Sequence, residues 1–402
     1  MMKIKLSSKK NLLNMSLSSS LIFCLSLLST ASSSSNALNE SSAVSSTLEQ
    51  QNKSEQQIEM SIMHLDLDYI YDSDPKQLTL NIHHLIKRIH EVQPNTIFMQ
   101  AFADPDANGS AHEVYFSNPH LPVRAELFKK VTEQIRTQTK VKIIYAWLPM
   151  WAWELPKDYQ ANYVKHANQS TKGYIRLSPF DPKNFIYVYE IYKALTDTVT
   201  VDGILYHDDI TLNDFEDSSA SAMRVYKLWG FKDAAQLLHH PQHPNQLKFA
   251  KAKTAYLDDL ALQLSNKLKK THPELKFARN SYAPVMLNPE SEKWFAQSTV
   301  STLQHYDYNA VMAMPYMEKA ADPKQFYLDL IVKARQHDPA LARTIFEIQT
   351  IDWNTQRKLS NEELLETIQL LKENGVQHIG YYPEDPYLPH PSSLIFKPKK
   401  PS

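Results

Sequence analysis

The run Tyr206-His207-Asp208-Asp209 is the densest cluster of reactive side chains in the chain, with Asp214, Glu216 and Asp217 just beyond it. Two neighbouring carboxylates beside an imidazole suit acid–base chemistry. Close like charges push one pKa upward, so one group can hold a proton near neutral pH while the other stays ionised. Further acids stand at His64-Leu65-Asp66-Leu67-Asp68, Asp104-Pro105-Asp106 and Glu384-Asp385, and large rings at Trp147, Trp151, Trp153, Tyr316, Trp353 and Tyr382. Rings stack on the apolar faces of sugars, and paired carboxylates carry out glycosidic acid–base work. The expected catalytic residues are Asp208 and Asp209. The expected substrate-binding residues are Asp66, Asp68, Asp104, Trp147, His207, Asp214, Tyr316, Trp353, Tyr382 and Glu384. Any one Asp could cap a helix and any one Trp could fill a core; the reading needs them all to converge.

Convergence requires a scaffold. Short β-branched or aromatic runs alternate with longer amphipathic segments from Met60 onward, the pattern of βα units around a parallel sheet. Strands are expected near Ser61–Tyr69, Thr96–Ala103, Lys142–Pro149, Gly203–Asp208, Leu275–Ser281, Ala310–Tyr316, Thr344–Thr350 and His378–Tyr382. Pro75–Val92, Leu247–Leu268 and Asn361–Glu373 carry apolar residues at three- and four-residue steps, as helices do. Ser360 is the expected N-cap of the last and Gly375 its stop. Eight such units predict an α/β fold, a single-domain (β/α)8 TIM-like barrel, whose chemistry sits on the loops after the strands. An open doubly wound sheet would carry a Gly-rich first turn, and the chain has six glycines and no GxGxxG. Alternation along the fourth strand would turn Asp208 and Asp209 to opposite sides.

The formal net charge is −1, which gives no basic excess for nucleic acid. His239-x-x-x-His243 has metal-ligand spacing, but Pro241 and Pro244 break a helix there; no metal or other cofactor is expected. No GxSxG elbow occurs. Residues 1–37 read as a signal peptide, with Lys3, Lys5, Lys9 and Lys10 ahead of an apolar stretch densest from Leu21 to Leu28, and Ser35-Asn36-Ala37 as the cleavage site. The stretch is too short for a membrane span. Cys24, the single cysteine, follows Phe23 rather than a small residue, so no lipid anchor is expected. Residues 38–59 read as a flexible linker, 60–390 as the barrel and 391–402 as a C-terminal tail. The protein is expected to be exported, periplasmic or secreted.

The runs 63–72 and 95–106, Tyr115-Phe116-x-Asn118-x-His120-Leu121-Pro122, Asp202 to Asp209 and Leu212-x-Asp214-Phe215-Glu216-Asp217 together resemble the C-terminal domain of the PgaB family. The resemblance spans about residues 60 to 390. It implies a glycoside hydrolase that cuts partially deacetylated poly-β-1,6-N-acetylglucosamine, a biofilm exopolysaccharide, internally. It also implies that the aspartates of the 207–209 segment carry hydrolysis, with other exopolysaccharide export proteins as candidate partners. The metal-dependent deacetylase domain and lipoprotein signal of that family have no counterpart in this reading. Asp202 to Asp209 is also spaced like the acidic motif of family 18 chitinases, whose last acid donates the proton. That favours Asp209, although Leu205 and His207 stand where the motif has aspartates. A polysaccharide-binding module without catalysis and a polysaccharide deacetylase are the alternative functions.

Overall fold

The computed structural model describes residues 58–106, 108–168, 174–387 and 390–396. The expected signal peptide and most of the linker lie outside these residues, as do residues 397–402 of the expected tail. Eight parallel strands close into a barrel: β1 Met60–Leu65, β2 Thr96–Gln100, β3 Ile143–Leu148, β4 Gly203–Tyr206, β5 Lys276–Tyr282, β6 Tyr308–Ala313, β7 Thr344–Gln349 and β8 His378–Tyr382. They follow chain order around the ring, and β1 pairs with both β2 and β8. The (β/α)8 barrel expected from the sequence is the fold observed.

Local chemistry explains the helices that wrap it. Asp74-Pro75, Asp181-Pro182 and Asp322-Pro323 each place an Asp side chain on the backbone N–H two residues on, with Pro in the first turn. The Asp fills an orphan donor, and Pro brings a helical φ and no N–H to leave unpaired. Ser360 and Glu363 form a reciprocal capping box on Asn361–Glu373. Pro75–Val92 buries Ile82, Leu85, Ile86, Ile89 and Val92, one face of a 3.6-residue repeat. Gly203 is obligatory: a Cβ there would lie 2.3 Å from Tyr145 and 2.6 Å from the Lys276 carbonyl.

Strand ends differ from expectation in a way that matters for the site. β1 stops at Leu65, and Leu67–Tyr69 forms a 3-10 turn; β2 stops at Gln100, and Phe102–Ala103 pairs instead with Glu113–Val114. β6 ends at Ala313 and β4 at Tyr206, so His207, Asp208 and Asp209 lie on a turn rather than on a strand. Past β8 the chain does not simply leave the fold: Ile395 is buried, and the Pro391 carbonyl accepts from Arg88.

Candidate active site

The C-terminal mouth of the barrel is built around Asp208. Its carboxylate lies 2.7 Å from His207 Nδ1, off the line of a directed hydrogen bond, so the contact is that of an ion pair. The Tyr174 hydroxyl donates to it at 3.3 Å, and Tyr282 also bonds it. Burial alone would raise the Asp208 pKa, but His207 and the two tyrosines outweigh burial and lower it. Burial alone would lower His207, but Asp208, Asp209 and Asp66 outweigh it and raise the imidazole. The two shifts run in opposite directions, each group favouring the charged form of the other, so the pair titrates as a unit.

Asp209 is a different kind of carboxylate. It is fully buried and accepts the backbone N–H groups of Met150, Trp151 and Ala152 at 3.0, 2.5 and 2.6 Å. Burial raises its pKa against those three donors. Its oxygens are spent on fixing the loop after β3, the loop that carries Trp151 and Trp153.

Around Asp208 the expected rings and acids come together. The Trp147 ring stacks on His207 at 5.0 Å and meets Tyr382 edge-on at 5.8 Å. The Tyr382 hydroxyl donates to Asp66 at 3.2 Å, and Trp353 lies 6.1 Å from the Tyr382 ring. Asp68, exposed at the rim, accepts from Tyr115 at 2.5 Å and from Gln100 at 3.1 Å.

Other expected residues stand on the same set of loops without joining this cluster. Asp104 accepts from the N–H groups of Asn108 and Gly109, and burial pushes its carboxyl up to about 6. Asp104, Asp106 and His112 form, among the described residues, one set whose ligand atoms lie within 4.8 Å of one another, close enough to share a cation. Asp214 is buried and raised by burial. Tyr316 bonds Glu363, with Arg357 over its ring at 5.2 Å.

Glu384 is corrected by the structure. It is fully buried, paired with Arg88 at 2.7 Å and hydrogen-bonded by Tyr381 at 2.6 Å, so no sugar can reach it. Glu216 and Asp217, the acids that stand just beyond the Asp208 cluster in the sequence, are internal as well. Glu216 pairs with Arg176 at 2.7 Å, and Asp217 takes up Lys165 N–H, Ser178 and Ser219. Lys253, fully buried, donates to the carbonyls of Asn213 and Glu216 and straps the loop down, and burial pulls its amine down to about 8.

The expected site residues leave out Tyr174, Tyr282, Glu318 and Glu347, although Tyr282 stands at the end of β5. Tyr174 and Tyr282 bond the Asp208 carboxylate, and Tyr282 stacks on Phe295 at 4.5 Å. Glu318, on the loop after β6, is pushed up to about 7 by burial. Glu347 lies inside the barrel beneath Trp147, bonded to His64. Only β7's Phe346-Glu347-Ile348, an acid inside an apolar strand, signalled the last. Hollows of about 430 Å³ (lined by Lys269, Lys276 and Arg343) and 510 Å³ (at Pro75–Leu80) hold none of these residues. We place the site by its side chains, because an open trough for a polymer need not enclose a cavity.

Comparison with known proteins agrees with the geometry. The profile of hypothetical glycosyl hydrolase family 13 matches residues 64–382. A solved structure, the PgaB (BpsB) glycoside hydrolase domain from Bordetella bronchiseptica, superposes with a TM-score of 0.79 at 36% identity, covering 85% of this chain and 99% of that one. A Bacillus circulans β-galactosidase superposes at 0.58 with 10% identity, over 83% of this chain and 51% of that one, a likeness of fold alone. Escherichia coli proteins described as poly-β-1,6-N-acetyl-D-glucosamine N-deacetylases are 39% identical over 350 residues, which is 84% of this chain and 52% of theirs. The chain thus spans about half the length of these curated relatives. It belongs to hypothetical glycosyl hydrolase family 13, as a glycoside hydrolase barrel similar to the PgaB glycoside hydrolase domain.

Proposed function

We propose that the protein cleaves partially deacetylated poly-β-1,6-N-acetylglucosamine internally, with Asp208 as the acid that protonates the leaving oxygen. One observation carries this reading: the Asp208 carboxylate lies 2.7 Å from the His207 imidazole, on which the Trp147 ring stacks. Glycoside cleavage needs a proton delivered as the C–O bond breaks. A sugar seated on Trp147 displaces water from the pair. Loss of water disfavours both charges, so Asp208 rises and His207 falls, which favours a proton on the carboxylate.

The substrate class follows from the relatives' names and from charge. Deacetylated units carry ammonium groups, and Asp66, Asp68, Asp104 and Asp214 supply negative potential on the same loops although the whole chain is near neutral. The deacetylase name of the longer relatives does not extend to this reaction, because the solved domain that this chain covers almost completely is described as a glycoside hydrolase. Among the described residues no helix is long and apolar enough to cross a membrane. Export through residues 1–37 is part of the proposal.

Incubation with the polymer, followed by mass spectrometry of the products, tests it. Internal cleavage gives short oligosaccharides from the earliest times. Binding without shortening would leave the guiding-module reading, and acetate release without shortening would leave the deacetylase.

A further inference from the structure

The inside of such a barrel is ordinarily filled by branched apolar side chains. Here its upper layer holds His64, Asn280 and Glu347, exposed by 3%, 4% and 1%. Buried polar groups are costly unless each is bonded to another. The Glu347 carboxylate meets both demands: His64 Nδ1 lies 2.9 Å from one oxygen, and the Asn280 amide bonds the other. Gly380 packs against this layer: a Cβ there would be in ordinary contact with Glu347 Cγ at 3.5 Å and tight only against Ile62 Cβ at 3.2 Å.

The imidazole so fixed is the underside of the site. Its ring meets Trp147 edge-on at 4.4 Å and Tyr382 at 4.8 Å. Trp147 in turn stacks on His207, the partner of Asp208. One indole therefore separates the buried pair from the acid. Among the described residues no hydrogen-bond partner reaches His64 Nε2 or Trp147 Nε1, both buried. Such orphan atoms commonly mark strain held for function.

We propose that the Glu347–His64 pair is a positioning device for the reaction. Glu347, with Asn280, fixes the plane of the His64 ring. That ring fixes Trp147, and Trp147 sets the distance between His207 and Asp208. Neither member of the pair touches substrate. The inference rests on the assignment of Asp208 as the acid.

The test compares three variants of the full protein in polymer cleavage, with thermal melting to confirm folding. Glu347→Gln keeps shape but cannot accept from both His64 and Asn280. A fall of about tenfold in kcat with KM within about twofold is expected, since the interaction acts on the transition state rather than on binding. The ring ¹⁵N resonances of His207 should move in the same variant. The double variant His64→Phe with Glu347→Leu replaces both partners by apolar groups and leaves no charge orphaned, the Asn280 amide alone losing a partner, and thermal melting reads whether it is folded. If that double variant is folded and keeps wild-type kcat and His207 resonances, the pair is packing alone and the proposal is overturned. Asp208→Asn separates the two readings. An inactive Asp208→Asn beside a fully active double variant sinks only the positioning role; an active Asp208→Asn sinks the acid assignment and the positioning role with it.

Discussion

The loops after β4 and β8 read alike in the sequence, as aromatic residues running into acids, yet they put their acids to opposite uses. After β4, Asp208 meets His207 and the hydroxyls of Tyr174 and Tyr282, while Asp209, Glu216 and Asp217 are consumed by backbone N–H groups, Arg176 and serines. After β8, Glu384 is consumed by Arg88, a residue of the first barrel helix, and Asp385 stays half-exposed beside Lys358. The difference lies in what neighbouring elements supply. Where a cation or a row of amides reaches the carboxylate, it becomes structure. Where only an imidazole and tyrosines reach it, it stays a carboxylate paired with a titratable ring.

The strongest way to break this contrast is Asp208→Asn. Removing a positioned proton donor typically costs about 10²–10⁴-fold in rate. Cleavage of the polymer should fall by about that factor in a protein that stays folded but melts lower, because His207 loses its ion-pair partner; a variant that stays fully active would show that the β4 loop offers no catalyst. The mirror experiment is Arg88→Met, which strands Glu384 without its cation. Loss of one partner from a buried pair costs about 3–5 kcal/mol. Denaturant unfolding should register that loss while the activity of the folded fraction stays near wild type. Lost activity in a well-folded Arg88→Met protein would mean that Glu384 serves the groove after all.

These two loops also mark where the sequence is legible. The barrel could be read because its signals are local: period-2 runs, Asp-Pro helix starts and the Ser360–Glu363 box are set within a few residues. Which acid faces the groove could not, because it is decided by partners far along the chain. Glu384 is settled by Arg88, 296 residues away, and Asp209 by amides 57 to 59 residues away. Strand alternation separates Asp208 from Asp209 correctly in direction but for the wrong reason, since β4 has already ended. Chitinase-like spacing favoured Asp209, whose oxygens are already taken. Glu318 and Glu347 gave almost no sign, one lying on a loop and the other inside an apolar strand.

Glu318 sharpens the comparison as a third case, an acid to which the described residues bring neither cation nor amide. Burial holds it at about 7, above the usual value of 4.5. A raised carboxyl contributes stability that is fully present below its unfolded pKa and lost as pH rises through the folded one. The wild-type protein should therefore lose stability between about pH 4.5 and pH 7 relative to Glu318→Gln. Melting curves at pH 5 and pH 8 check this: the variant's advantage should grow with pH. A constant difference would show that the carboxyl titrates normally and is well solvated.

The smallest effect belongs to Asp385→Asn. Its carboxylate lies 3.4 Å from Lys358 with both side chains more than 30% exposed, and it accepts the Tyr387 N–H at 3.1 Å. Exposed ion pairs of this kind contribute about 0.2–1 kcal/mol. A melting shift at the edge of detection and unchanged cleavage are expected. Sensitivity to salt makes the check stricter, because ammonium groups on the polymer would be felt by any acid that lines its path, and added salt would weaken that attraction. If Asp385→Asn raises KM several-fold at low salt and the effect vanishes at high salt, the polymer runs past β8. The two loops would then differ only in which of their acids holds a proton, and not in which of them meets the sugar.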